Sequence, residues 1–359
     1  MQQNTSAELS RVLLDQADRL FRQHVTNERL AEADGGAWPA AMWDAVQDAG
    51  LPLAMVPEVA GGVGLPAADA MRLIRRSAWH TLPLPLAETM LAAALWAEDF
   101  GEAVEGPMSV APTNARDAIG IRRGAHGYVL QGTAHRVPWA SEVGHVLVLA
   151  HDESGAGHLA LLPRMTANAA ARGNLASEPR GDLALDGVEL PSAAVRPAPK
   201  ICADGMLPLG ALIRAQQMAG AMERCLDYAL NYANERRQFG RPIGKFQAVQ
   251  HMLAEAAGQY AAAAAAADIA AEAYGTPGFA FAVAVAKARA GEAAGKVAEI
   301  AHQVHGAMGF TQEHPLHFAT RRLWSWRYEF GHESYWQERL GRLICADGGE
   351  ALWPMLVGA

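Results

Sequence analysis

Hydrophobic positions divide the chain into three stretches of different period. Over residues 1–106 apolar residues recur at helical spacing. Leu9, Val12, Leu13, Leu20 and Phe21 form one such face, and residues 40–49, 71–79 and 86–96 form three more. Residues 51–65 carry Pro52, Pro57, Gly61, Gly62 and Gly64. No strand pattern precedes them and no Lys follows, so they read as a turn rather than a phosphate loop. Over residues 107–199 short β-type runs appear at 127–130, 143–150, 158–162 and 183–190, separated by Gly155-Ala156-Gly157 and Asp186-Gly187. From residue 200 the helical spacing returns in long Ala-rich runs, 206–234, 248–274, 278–308 and from 316 onward. The pattern predicts a multidomain α+β chain: an N-terminal helical domain (1–106), a central antiparallel β-barrel or sandwich (107–199) and a C-terminal four-helix bundle (200–359).

The totals narrow the function classes. A chain of 359 residues holds two or three domains with real cores. A net charge of −8 without clustered Lys and Arg excludes a nucleic-acid surface. Cys202, Cys225 and Cys345 are scattered, without metal-ligand spacing, and read as reduced thiols in a cytoplasm. The most membrane-like run, residues 253–273, is mostly Ala and is interrupted by Glu255, Gln259, Asp268 and Glu272, so no membrane span is expected. The opening MQQNTSAELSRVLLDQADRLF is polar and lacks an apolar signal segment.

Candidate chemistry concentrates in residues 231–251, NYANERRQFGRPIGKFQAVQH. Leu226, Ala229, Leu230 and Ala233 lead into it as a helix. Gly240, Pro242 and Gly244 break it, and Phe246, Val249, Met252 and Leu253 resume helically. At the break stand Arg236, Arg237, Gln238 and Phe239. A guanidinium binds phosphate oxygens bidentately, an amide reads a ribose or base edge, and a ring packs on a heterocycle. The plainer reading of the same residues is a solvated, charged corner between two helices.

This stretch resembles the acyl-CoA dehydrogenase family, whose members carry YAxxRxxFGxxIxxFQ at such a helix junction. Gln303-Val304-His305-Gly306-Ala307-Met308-Gly309-Phe310-Thr311 is similar to the family's QxxGGxGF stretch. Residues 51–65 resemble its PEEYGGLGL segment, and Gly127-Tyr128-Val129-Leu130-Gln131-Gly132-Thr133 its dGyvlnG hairpin. The resemblance implies FAD as cofactor and an acyl-CoA thioester as substrate, undergoing α,β-dehydrogenation. It implies electron-transfer flavoprotein or a similar acceptor, and a homo- or hetero-oligomer, dimer or tetramer. Arg236, Gln238, Phe239 and Gln247 would contact the adenine dinucleotide arm. Gln303, Gly306 and Ala307 would meet the neighbouring subunit's cofactor. Two places depart from the family pattern. Ala111-Pro112-Thr113-Asn114-Ala115-Arg116-Asp117 stands where TEPxxGSD is usual, and Arg136-Val137-Pro138 where a Trp and a flavin-contacting hydroxyl are usual.

The family places its proton-abstracting carboxylate either on the helix before the RxxFG corner or in a YEGT-like turn after the last long helix. Here the first position falls near Gly210. The second falls at Phe330, within Tyr328-Glu329-Phe330-Gly331, so Glu329 is the candidate base and His332 a further one. A solvated helix face is the plain reading of Glu329. A second function follows from the same gap: a non-catalytic or half-site partner of a heteromeric acyl-CoA dehydrogenase. A third, an oxidase or monooxygenase, has no positive sign in the sequence.

Overall fold

The computed structural model describes residues 2–98, 102–164 and 169–357. Five helices come first: α1 (Gln2–His24), α2 (Asn27–Asp34), α3 (Ala40–Asp48), α4 (Ala67–Trp79) and α5 (Leu86–Ala97). The apolar face of α1 is Leu13, Ala17 and Phe21, all buried, whereas Leu9 and Val12 are exposed. The i, i+4 set wins because α1 rests on α4, where Asp18 meets Arg76 and His80. The Gly/Pro-rich segment between α3 and α4 is a turn, as expected. A Cβ at Gly62 would fall 2.1 Å from the Val56 carbonyl oxygen, so only glycine fits there.

The middle of the chain forms ten strands. They are β1 (Met108–Ala111), β2 (Gly120–Gly124), β3 (Gly127–Gln131), β4 (Thr133–Pro138), β5 (His145–His151), β6 (Gly157–Pro163), β7 (Ala169–Gly173), β8 (Pro179–Ala184), β9 (Glu189–Leu190) and β10 (Val195–Pro197). One sheet runs β10-β6-β5-β2-β3-β9 with β1 on β5, and a second runs β4-β8-β7. Leu130, Val146, Val148 and Leu162 of the first share a buried cluster with Ala134, Val137 and Leu183 of the second, so the two pack face to face. No closed barrel forms among the described residues, and β1 pairs with β5 in parallel, so the sheet is mixed rather than purely antiparallel.

Two-residue strands β11 (Arg237–Gln238) and β12 (Arg241–Pro242) interrupt the C-terminal helices α6 (Met206–Glu235), α7 (Gln247–Glu272), α8 (Phe279–His305), α9 (Leu316–Trp326), α10 (Glu333–Asp347) and α11 (Leu352–Val357). The run expected from 316 onward is thus broken over residues 327–332. One hydrophobic cluster extends from Leu13 of α1 through Ile74 of α4 and Met218 of α6 to Trp336 of α10, so the first and last helical parts share a core. Arg75 of α4 ties them together. Its Nε donates to Gln216 Oε1 at 2.9 Å and its Nη2 pairs with Asp268 Oδ1 at 2.5 Å. Small residues let the helices approach closely. A Cβ at Gly220 would lie 2.0 Å from the Arg75 carbonyl oxygen, so α4 and α6 touch backbone to backbone.

Gly220→Ala forces those helices apart and is expected to lower the unfolding free energy by about 1–3 kcal/mol. Denaturant unfolding of the two proteins measures it, and equal midpoints would refute the contact.

Candidate functional site

Where α5, α6, β8 and α9 converge, six charged side chains are buried together. Glu329, in the turn between α9 and α10, accepts through Oε1 from Arg180 Nε at 2.8 Å and from Asn174 Nδ2 at 3.2 Å. Its Oε2 accepts from Arg214 Nε at 2.8 Å. Arg214 Nη2 reaches Glu88 Oε1 on α5 at 2.5 Å, and Arg214 also bonds Gln217. Arg180 Nη2 donates to Glu178 Oε2 at 3.0 Å, and Arg322 Nε donates to Glu178 Oε1 at 3.1 Å. Trp326 Nε1 adds a third donor to Glu178. Carboxylates and guanidiniums alternate along this chain, three of each, and all six residues are buried.

That environment does not suit Glu329 to the role of base. Burial by itself pushes its carboxyl up, but the guanidiniums of Arg180 and Arg214 outweigh burial and hold it down at about 2. Both of its oxygens are engaged and the residue is 8% exposed. Tyr328-Glu329-Phe330-Gly331 resembles the family's YEGT turn with one residue out of step, and its carboxylate is engaged in ion pairs. His332 is the N-cap of α10; its Nδ1 lies 3.3 Å from the Tyr335 amide and 2.6 Å from Ser334 Oγ.

The two places where the family carries its base face one another. A Cβ at Gly210 would stand 2.0 Å from Cδ1 of Phe330, so the ring lies directly on the α6 backbone. Phe330 has φ 53° and Gly331 φ 87°, left-handed values that a bulky residue keeps only under constraint. The constraint is visible. Trp336 Nε1 donates to the Phe330 carbonyl at 3.0 Å. Lys287 Nζ of α8, fully buried, donates to the carbonyls of Arg327 at 2.9 Å and Gly331 at 2.6 Å. Burial lowers the Lys287 amine to about 7 despite the attraction of Glu329.

At one end of the bundle lies the candidate nucleotide corner. α6 ends at Glu235, and Arg236 leaves it in an extended conformation. β11 and β12 then pair Arg237 with Pro242 and Gln238 with Arg241. Phe239 and Gly240 make the two-residue turn, with φ 51° and 80°, the left-handed pair that such hairpins require. Phe239 is 91% exposed and meets Phe246 edge-on at 6.1 Å. Arg236, Gln238 and Gln247 are exposed, and Gln247 opens α7, whose N-terminus has no side-chain cap. The second motif ends α8. Gln303, Gly306 and Ala307 are exposed, and Phe310 is 73% exposed. Tyr232, one turn before Arg236, stacks at 4.7 Å on His305, the residue before Gly306, so both motifs occupy the same end of the bundle.

These observations allow a test of fit to a flavin dinucleotide. The corner offers a free guanidinium, exposed amides, an exposed ring and an uncapped helix start, which suit a pyrophosphate and an adenine. The β-domain side fits a flavin ring poorly. Thr113 Oγ1 donates to the His135 carbonyl at 2.9 Å, and Pro138 has neither hydroxyl nor N–H. Among the described residues no group of three His, Cys, Asp or Glu could hold a metal ion, and no helix is long and apolar enough to cross a membrane. Sequence reasoning missed Glu88, Glu178, Arg180, Arg214, Lys287 and Arg322. For Glu88, Arg214 and Lys287 the signal was a charge inside an apolar run, as in LGALIRAQQMAG and LPLPLAETMLAAALW; Glu178, Arg180 and Arg322 stand in polar or mixed stretches that gave none.

Comparisons with known proteins agree with this architecture. Residues 202–335 match the family model described as acyl-CoA dehydrogenase, C-terminal domain. Acyl-CoA dehydrogenase IpdE2 of Mycobacterium tuberculosis is 30% identical over 297 residues, covering 82% of this chain and 83% of that protein. The ChsE4-ChsE5 complex of M. tuberculosis superposes with a TM-score of 0.86 at 24% identity, over 93% of this chain and 96% of that one. A variant of the Tcur3481-Tcur3483 steroid ACAD gives 0.85 at 26% identity, over 95% and 99%. With a relative aligned over most of both chains, and the helix–sheet–helix order and both bundle-end motifs in place, the chain belongs to the acyl-CoA dehydrogenase family.

Proposed function

We propose that this chain is the cofactor-cradling, non-abstracting subunit of a two-subunit FAD-dependent acyl-CoA dehydrogenase. It lends its nucleotide corner to an FAD at an oligomer interface, and an unlike subunit supplies the carboxylate that takes the α proton of the acyl thioester. One observation carries this reading: neither family position holds a usable base. Gly210 has no side chain, Phe330 is a ring lying on it, and neighbouring Glu329 is bound through both oxygens. A general base works best with a pKa near the operating pH, far above about 2.

FAD, when bound, supplies the acceptor for the β-carbon hydride, and electron-transfer flavoprotein or a similar acceptor would then collect the electrons. Arg236 binds pyrophosphate oxygens, Gln238 and Gln247 hydrogen-bond the dinucleotide, and Phe239 covers the adenine. Gln303, Gly306 and Ala307 face the cofactor of the neighbouring subunit. The ChsE4-ChsE5 complex and the Tcur3481-Tcur3483 steroid ACAD are each named for two chains, which supports an unlike partner. The second name makes a steroid-derived acyl-CoA the first substrate class to offer the assembly.

Expressed alone, the chain is expected to purify colourless, and to become yellow when co-expressed with a homologue that carries the carboxylate. A chain that is yellow and acyl-CoA-reducing by itself overturns the proposal. In the assembly, Arg236→Ala removes a charge-assisted contact of about 1.5–3 kcal/mol, a roughly ten- to hundredfold loss of FAD affinity, read by flavin retention on dilution. Glu329→Gln leaves turnover of the assembly intact but costs about 3–5 kcal/mol of stability, because Arg180 and Arg214 each lose one of their two carboxylate partners. The Glu329 carboxyl titrates lower in the fold than its ordinary 4.5, so its contribution is complete above pH 4.5 and is lost as pH falls towards 2. Acid unfolding of the wild type is therefore steeper in that window than that of Glu329→Gln. Lost turnover with unchanged melting would return Glu329 to the mechanism.

A further inference from the structure

Beside the first turn of α6 lies a cleft of about 210 Å³. It is lined by Pro112, Asn114 and Asp117 of the β domain, Met206 and Leu207 of α6, and Tyr335 and Arg339 of α10, among others. Met206 and Gly210 are one helical turn apart on the same face of α6, so the cleft and the Phe330 contact share that face. They share α10 as well, because Tyr335 lines the cleft while Trp336, its neighbour, donates to the Phe330 carbonyl. The elements that bound the open space also grip the ring that fills the space next to it.

We infer that Phe330 is a plug that excludes acyl thioesters from this subunit, held shut by Lys287 and Trp336. The inference rests on the reading of this chain as the non-abstracting subunit and adds why it binds no substrate of its own. Three features of the 327–331 turn carry it. The ring lies flush against Gly210, which has no Cβ to hold it off. The backbone of Phe330 is left-handed, uncommon for a bulky side chain and here, unlike at exposed Phe239, held inside a buried turn. The carbonyls of Arg327, Phe330 and Gly331 all accept from buried side-chain donors rather than from water. The two Lys287 acceptors match the N–H groups left on a neutral amine, so the latch holds on both sides of pH 7. Arg214 stands 5.5 Å from the Phe330 ring centroid and walls it from the other side. An ordinary apolar core contact would need neither the left-handed backbone nor three hydrogen bonds from two buried donors aimed at one turn.

A phenyl ring removed from a well-packed site leaves a hole of about the size of a short acyl chain, which apolar ligands can fill. Butyryl-CoA is therefore the probe, titrated calorimetrically into the flavin-loaded assembly. Phe330→Ala is expected to gain one butyryl-CoA site per copy of this chain over wild type. Lys287→Met, which keeps the ring but removes the latch, gains the same site with at least tenfold weaker affinity. A well-folded Phe330→Ala assembly without an added site overturns the plug. Phe330→Val, a smaller change in volume, replaces Phe330→Ala should the latter not fold. In wild type, saturating butyryl-CoA leaves amide exchange of the 327–331 turn unchanged, and altered exchange there also overturns the inference. Flavin content, measured on the same samples, separates the two claims. An assembly that holds FAD but gains no site sinks the plug alone, whereas flavin and turnover in the isolated chain sink the two-subunit reading.

Discussion

Six charges buried where helices and sheets meet are the constraint on which the rest of the structure depends. Moving a carboxylate or a guanidinium out of water costs several kcal/mol, and the cost is offset only when every partner is in place. Glu88, Arg214, Glu329, Arg180, Glu178 and Arg322 meet most of this cost by alternating in sign, each in contact with the next, with only Glu88 Oε2 left without a hydrogen-bond partner among the network's described atoms. They come from α5, α6, β8, α9 and the turns beside them, so displacing any one element strands a charge contributed by another. The network therefore fixes the 327–332 turn as firmly as the apolar core does. The same engagement removes Glu329 from proton transfer, because a carboxylate that stabilises two guanidiniums is not also free to accept a substrate proton.

Around that junction the substrate side and the cofactor side of the fold have diverged. On the substrate side charged pairs and an aromatic ring close the interior, and Lys287 ties the closing turn to α8. On the cofactor side the bundle end keeps arginine, amides and rings that are exposed among the described residues. Phe239 and Phe310 would be poor surface residues in an isolated molecule, and their exposure makes sense where a cofactor and a second subunit cover them. The β domain falls between these extremes, with its sheets intact but its flavin-facing hydroxyls replaced or already engaged. A chain that held a dinucleotide without abstracting a proton would suit an assembly that divides the two tasks between subunits.

Much of the architecture was legible in the sequence because periodicity reports which face of an element is buried. The long helices of the bundle and the strands β3, β5 and β6 follow from it directly. It erred where the pattern is degenerate. α1 turns Leu9 and Val12 outward because Asp18 must face Arg76 and His80 on α4. β1, β2, β4, β7 and β10 are too short, or too rich in small and polar residues, to show alternation. The nucleotide corner was readable because its residues are contiguous: a guanidinium, an amide and an aromatic at one helix break carry their chemistry in local order.

By itself, then, the sequence determined the helix–sheet–helix order and the family, which reside in local pattern, and it proposed the residues of a cofactor corner. Only the tertiary structure decided what Glu329 does. Its partners Arg180 and Arg214 lie 149 and 115 residues away along the chain, and nothing in Tyr-Glu-Phe-Gly reveals that they arrive. Whether a carboxylate is a base or a strut depends on the charges that surround it, and those are assembled only when distant elements pack.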